Sequence, residues 1–300
     1  MSLSLAFCAV FAAALAAPAA PADGAAASPF PFFAYCIDTH DSAKRTLPEQ
    51  AALLKELGYG GVGHLWLDNV RERLESLDAA GLRLFQITMQ VSMKEGTPPY
   101  DREKLEAILP LLTGRGVQLC LLMQGMAASD TAGDARGVDI VREIADLAKP
   151  SGTEVLLYPH ANDWVEKVSD AVRLAEKADR PNVGVMFNLC HWLKVDKEEN
   201  LRPVLESAMP LLRAVSINGA DRAEAIHAGT GDWLQPLDKG SYDVSQVLRT
   251  LAELGYKGPV GLQCWGIGGD ARDHLTRSMG AWKRLNAALF QEKGKENGNS

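Results

Sequence analysis

EVLLYPHANDWVEKVSDAVRLAEKADRPNVGVMFNLCHWLK, running from Glu154 to Lys194, reads as strand, helix and strand. Polar and ring-bearing residues gather where each strand ends: Tyr158 and His160 after the first, Asn188, His191 and Trp192 after the second. Strands that alternate with helices build a parallel sheet, because a tight hairpin cannot join parallel neighbours. In such sheets chemistry collects at the carboxyl ends of the strands, where the connecting loops converge.

The same unit recurs outward from this stretch. Strand candidates are Phe32–Asp38, Gly61–Trp66, Leu82–Val91, Val117–Gln124, Glu154–His160, Val183–Asn188, Ala214–Asn218 and Pro259–Trp265. They are short and apolar without clean alternation, as expected of strands covered on both faces. Leu47–Leu57 and Val244–Leu254 carry apolar residues at helical spacing, and each ends at a glycine suited to a C-cap, Gly58 and Gly255. Asp243 is placed to cap the start of the second of these helices. LGYGGVG from Leu57 and LGYKGPVGL from Leu254 repeat one phrase of helix end, glycine turn and strand. The pattern predicts a single α/β domain, a TIM-type (β/α)8 barrel over residues 28–290. One long connection, Gly219 to Tyr242, follows the seventh strand on the expected active face and contains His227, Asp232 and Trp233. The polar residues 291–300 read as a disordered tail.

The 300 residues, 47% hydrophobic, suffice for one large core. A formal net charge of −7 without a dense Lys/Arg run argues against a nucleic-acid surface. Leu3–Ala17 is an apolar run followed by Pro18, Pro21 and small residues. It is shorter than the roughly 20 residues that span a bilayer, and fits a signal peptide over residues 1–27, cleaved after Ala19 or Ala27. The basic residues that usually precede such a segment are absent. No other run is long enough to cross a membrane, so the mature chain is expected outside the cytoplasm, periplasmic or extracellular, with no membrane contact. Cys36, Cys120, Cys190 and Cys264 remain after cleavage, none in a CxxC spacing. A cysteine zinc site is therefore not expected, and buried free thiols are favoured over a Cys36–Cys264 disulfide between the first and last strands.

Tyr158-Pro159-His160, Asn188-Leu189-Cys190-His191, Asn218-Gly219-Ala220-Asp221 and Gln263 after a glycine-proline turn resemble the strand ends of the xylose isomerase-like TIM-barrel family. That family includes sugar isomerases, sugar epimerases and a metal-dependent endonuclease branch. The resemblance implies a divalent metal held by Glu, Asp, His and Glu at the carboxyl ends of strands five to eight. Here those positions are Tyr158, Asn188, Asn218 and Gln263, which supply dipoles but no charge to offset the desolvation of an ion. The expectation is no cofactor and no metal at this position. A relocated metal on several histidines is the alternative.

A polar pocket remains. Asn188, Asn218 and Gln263 offer both donors and acceptors for sugar hydroxyls, and Trp192, Trp233 and Trp265 offer indole faces for a pyranose. His64, His160 and His191 are expected at one end of the barrel, with Asp38 and His40 at the exit of the first strand. The residue matching His191 touches substrate in the resembled family. His160, His191, Tyr158 and Lys194 are the candidate catalytic groups, with His64 and the amides and tryptophans above as substrate contacts. Asp221 matches a position the family often keeps and could support strand seven. Asp232 reads as a solvated charge. Gly266-Ile267-Gly268-Gly269, before a helix, could cradle an anion. The reading is a carbohydrate isomerase or epimerase; a lyase or hydratase on an oxidised sugar and a non-catalytic sugar-binding protein are the rivals. Oligomeric state stays open.

Overall fold

A computed structural model describes residues 30–37 and 40–297, with side chains up to Leu289. The leader assigned to residues 1–27, and Asp38, lie outside the described residues. The strands are β1 (Phe32–Tyr35), β2 (Gly61–Leu65), β3 (Arg83–Ser92), β4 (Gln118–Gln124), β5 (Glu154–Leu157), β6 (Val183–Asn188), β7 (Leu212–Ile217) and β8 (Val260–Gln263). They close in sequence order into a parallel barrel, with β8 paired to β1. The helices are α1 (Leu47–Leu57), α2 (Val70–Ala80), α3 (Arg102–Leu112), α4 (Asp134–Ala148) and α5 (Val168–Ala178). They continue with α6 (Leu189–Val195), α7 (Leu201–Ala208), α8 (Ala223–His227), α9 (Ser245–Glu253) and α10 (Ala271–Asn297). All eight predicted strands are present, several shortened where their last residues turn into the mouth.

Local chemistry sets the boundaries. Thr46 N–H donates to Glu49 Oε2 (2.8 Å) before α1, and Gly58 takes φ 87° to return its N–H to Leu54 O. Asp243 Oδ1 accepts the Ser245 N–H at 3.1 Å just ahead of α9, whose N-cap is Val244, one residue later than the sequence suggests. Along each strand, alternate residues divide between two cores. Phe33, Tyr35, Leu65, Phe85, Leu156, Tyr158, Met186 and Ala214 fill the barrel interior. Val62, Ile87, Leu119, Val155, Phe187, Val215 and Leu262 pack outward against the helices. Burying each large apolar side chain contributes about 1.5–3 kcal/mol, so the outer layer supplies most of the stability.

One expectation is met here and one changes. Cys36 and Cys264 end adjacent strands, with Tyr35 level with Gln263, and both are buried free thiols, as favoured from the sequence. Cys36 packs with the barrel interior and Cys264 with the outer core, so their side chains leave the sheet on opposite faces. The predicted disordered tail is helical through Asn297 as a continuation of α10, consistent with the helix propensity of its Gln, Glu and Lys residues. Among the described residues no helix is long and apolar enough to cross a membrane.

Candidate active site

The alternation of the strands decides which residues reach the mouth. Tyr158 follows Leu156 by two, Asn188 follows Met186 by two and Gln263 follows the inward Gly261 by two, so all three point inside at the carboxyl end. They form one hydrogen-bonded cluster. Asn188 Nδ2 donates to Tyr158 Oη at 2.6 Å, and Gln263 Nε2 donates to the same oxygen at 3.2 Å. Asn188 Oδ1 caps α6 by accepting from His191 N–H (3.3 Å) and also accepts from Cys190 Sγ (2.9 Å). Gln263 Oε1 accepts from Trp265 N–H at 3.1 Å. Burial pushes the Tyr158 phenol well above its usual range, so it is neutral. A divalent metal does not fit this arrangement: the four groups at its expected position are uncharged, and Tyr158, Asn188 and Gln263 are bonded to one another. Among the described residues no cluster of three or more His, Cys, Asp or Glu is placed to hold a metal ion.

Beside the cluster stand two imidazoles. The rings of His160 and His191 lie 3.8 Å apart, centroid to centroid, and Tyr158 meets each edge-on at 6.0 and 5.8 Å. His160 Nδ1 is 3.4 Å from Asp163 Oδ2, an approach short of an aligned hydrogen bond. Catalytic contacts in unliganded sites are commonly this loose. Burial lowers His160 to about 4 and raises Asp163 to about 6. Burial also holds His191 well below the usual imidazole range, helped by His160 and Lys194. Above pH 6 the site therefore pairs neutral imidazoles with an ionised carboxylate. The loop carrying Asp163 is tightly held. Asp163 N–H donates to His160 O (2.9 Å), and the next residue, Trp164, is wholly buried with its indole N–H on Asp130 O at 2.7 Å.

The long connection after β7 supplies the opposite lip. An antiparallel bridge joins Gly219 to Gln235. Asp221 accepts from Asp232 N–H, Gln235 Nε2, Ser241 N–H and Ser241 Oγ, at 3.0 to 3.1 Å. Asp221 thus supports this loop rather than strand seven. Asn218 Nδ2 donates to Gly219 O and Trp233 O (2.7 and 3.0 Å). This pins Trp233 over the mouth, 5.5 Å from the His191 ring, with Lys194 Nζ 4.0 Å from its centroid. Trp265, 44% exposed, stands at the rim with His40 edge-on at 5.3 Å.

Together these residues bound a cavity of about 300 Å³. Tyr158, His160, His191, Gln263, Trp233 and Trp265 line it as the sequence predicts; Asn188 and Asn218 stand behind the lining, and Lys194 reaches it only through Trp233. Two expected contacts are elsewhere. His64 is one residue out of phase with the inward Leu65, so it faces outward, bound to Asp68 O (2.7 Å) and Arg73 Nε (3.3 Å). Trp192 sits in the first turn of α6 against Phe187, within the outer core. The glycine-rich turn after β8 holds no free anion cradle. Asp41 Oδ1 accepts Ala271 N–H (3.1 Å) and Asp270 Oδ1 accepts Arg272 N–H (2.8 Å), so carboxylates already occupy the start of α10. Tyr35, Trp66, Gln90, Gln124 and Asp163 join the lining without having been predicted. The spacing of Asp163 from His160, three residues on in a turn, was the available signal for the last of them.

The profile of the xylose isomerase-like TIM barrel family matches residues 51–285. The chain belongs to that family. No curated protein sequence matches it. Among solved structures, it is similar to a xylose isomerase-like TIM barrel protein from Mycobacterium smegmatis in complex with magnesium, at 18% identity, TM-score 0.64, covering 88% of this chain and 99% of the other. It is also similar to 3-keto-D-glucoside 4-epimerase from E. coli, at 18% identity, TM-score 0.65, covering 85% and 99%. A third relative in fold is an L-ribulose 3-epimerase, at 13% identity, TM-score 0.69, covering 88% and 96%. At these identities the likeness concerns the fold.

Proposed function

We propose that this protein acts on a small, uncharged sugar by moving a proton beside its carbonyl group, as a sugar isomerase does. The observation that carries the reading is the neutral His160, 3.4 Å from Asp163 and in tilted ring contact with His191, in the cavity beside the Tyr158 hydroxyl. Asp163 at Nδ1 favours the tautomer that leaves Nε2 basic. His160 Nε2 takes the proton from the carbon next to the carbonyl, and the electron pair moves to the carbonyl oxygen. The hydroxyl on the deprotonated carbon passes its proton to that oxygen and becomes the new carbonyl, while His160 returns the abstracted proton to the former carbonyl carbon, which completes an aldose–ketose exchange. The two imidazoles occupy one wall, so removal and return on the same face is favoured over inversion. Among the described lining residues Asp163 alone is charged at neutral pH, which suits a neutral sugar over a sugar phosphate. The rim tryptophans suit its apolar face. The family and the epimerases of similar fold support a carbohydrate ligand.

A second reading rests on a neighbouring cavity of about 250 Å³ that shares Trp66 and Gln90 with the first. It would seat the second half of a keto-glycoside, whose leaving group departs after the same proton abstraction. Calorimetric titration with ketoses, aldoses and 3-keto-glucosides, followed by NMR in D2O, separates these readings. The expected result is binding with deuterium uptake next to the carbonyl, lost in His160→Ala. His191→Ala is expected to weaken binding by about 1–3 kcal/mol, the effect of leaving a buried polar partner unpaired. Binding without uptake would instead identify a sugar-binding protein, and no binding would sink the proposal. The apolar Leu3–Ala17 segment supports export; N-terminal sequencing of the mature chain is expected to begin after Ala19 or Ala27.

A further inference from the structure

The hydrogen bonds around Tyr158 leave its hydroxyl hydrogen with only one direction to go. The amide of Asn188 is oriented by the His191 N–H on its oxygen, and the amide of Gln263 by the Trp265 N–H on its oxygen. Reversing either amide would set N–H against N–H. Both therefore present NH2 groups to the Tyr158 oxygen, which is an acceptor twice over. The hydroxyl hydrogen has no acceptor among the described residues. Tyr158 is 2% exposed, and what exposure it has is to the cavity it lines. A buried O–H without an acceptor is unfavourable, so the arrangement is built for an oxygen that arrives with the ligand.

We propose that Tyr158 is the electrophilic group of the pocket, donating its hydroxyl hydrogen to the sugar's carbonyl oxygen where other family members present a cation. The inference rests on the reading of the cavity as a site for a carbonyl-bearing sugar. Two amide donors polarise the hydroxyl and strengthen it as a donor. Burial keeps it protonated, so it meets the negative charge that grows on the carbonyl oxygen as His160 removes the neighbouring proton. Tyr158 keeps its own proton throughout. The donor is fixed before the ligand arrives, so no reorganisation is needed during the reaction.

The test compares ketones with the matching alcohols by calorimetry, in chelator: methyl 3-keto-β-D-glucopyranoside against methyl β-D-glucopyranoside, and D-fructose against D-glucitol. Wild type is expected to prefer the ketone about tenfold or more, in line with one charge-accepting hydrogen bond. Tyr158→Phe is expected to bring that ratio close to one. Gln263→Glu should do the same with the hydroxyl still present, because the new carboxylate captures its hydrogen. Asn188→Asp provides this readout if Tyr158→Phe does not fold. Retention of the ketone preference in Tyr158→Phe, with deuterium uptake still lost in His160→Ala, would overturn this inference alone. Failure of wild type to bind any of the four probes would overturn both it and the functional reading beneath it.

Discussion

Asp163 shows how one side chain can set the working range of another. Its carboxyl is raised to about 6 by burial, whereas His160 is lowered to about 4. As pH rises through about 6, Asp163 loses its proton and begins to hold the His160 tautomer. Deuterium uptake by a bound keto sugar is therefore expected to climb through that range, with His160 already neutral. Asp163→Asn should remove the rise and lower the plateau about 10²-fold or more, the usual contribution of a positioned base. An unchanged pH profile in Asp163→Asn would show that the carboxylate is structural. The amide cluster gives a second prediction at this scale. Chelator-free protein is expected to carry no stoichiometric divalent ion at Tyr158, Asn188, Asn218 and Gln263, because the donors there lack charge. Elemental analysis showing about one ion per chain, lost in Asn188→Ala, would contradict it.

Among the elements, α4 and the loop after β5 form the mount of the site. A Cβ on Gly137 in α4 would come within 2.3 Å of the Trp164 ring, which directly follows Asp163. Gly137→Ala adds only that carbon, yet the ring must move. Overpacking of this kind costs about 1–3 kcal/mol. Urea denaturation should register the loss, and sugar binding should weaken in parallel if the Asp163 loop shifts. Full binding in a destabilised Gly137→Ala would mean that the loop and the helix are uncoupled. The connection from Gly219 to Tyr242 is organised differently, by polar bonds to Asp221 rather than by packing. Asp221→Ala is expected to raise amide exchange across residues 232–241 and to weaken binding through Trp233, with the barrel strands unaffected.

At the scale of the whole molecule, buried histidines govern acid stability. His160 and His274 are lowered by burial to about 4, and His191 also lies well below the ordinary value of 6.5. Groups with depressed pKa values give stability that is present above 6.5 and lost as pH falls through the folded value. Each of the two at about 4 accounts for at most about 3 kcal/mol across that window. Asp163 acts in the opposite sense, because its raised pKa favours the folded state as pH drops below 6. Thermal midpoints are expected to fall from pH 7 to 4, less in His274→Gln and more in Asp163→Asn. His274 lies on α10, outside the cavity lining, 5% exposed and within reach of the Asp41 and Asp270 charges. Its replacement therefore changes stability rather than binding.

By itself the sequence determined the barrel, because alternating apolar strands and amphipathic helices leave few ways to cover both faces of a parallel sheet. It also determined which strand ends carry the polar residues, since Tyr158, His160, Asn188, His191 and Gln263 terminate recognisable strands. The phase of each strand was less legible. His64 and Leu65 are neighbours in a short run, and only the pairing of β2 with β1 and β3 shows which one faces inward. Trp192 likewise turns outward because α6 begins at Asn188, a cap that depends on the amide bonded to Tyr158. Asp163 was hidden for a related reason. A carboxylate in a turn acquires meaning only when a buried tryptophan fixes that turn beside an imidazole. Contacts between residues 30 to 105 positions apart, such as Asn188 and Gln263 meeting at one phenol oxygen, follow from closing the barrel, and no local pattern encodes them.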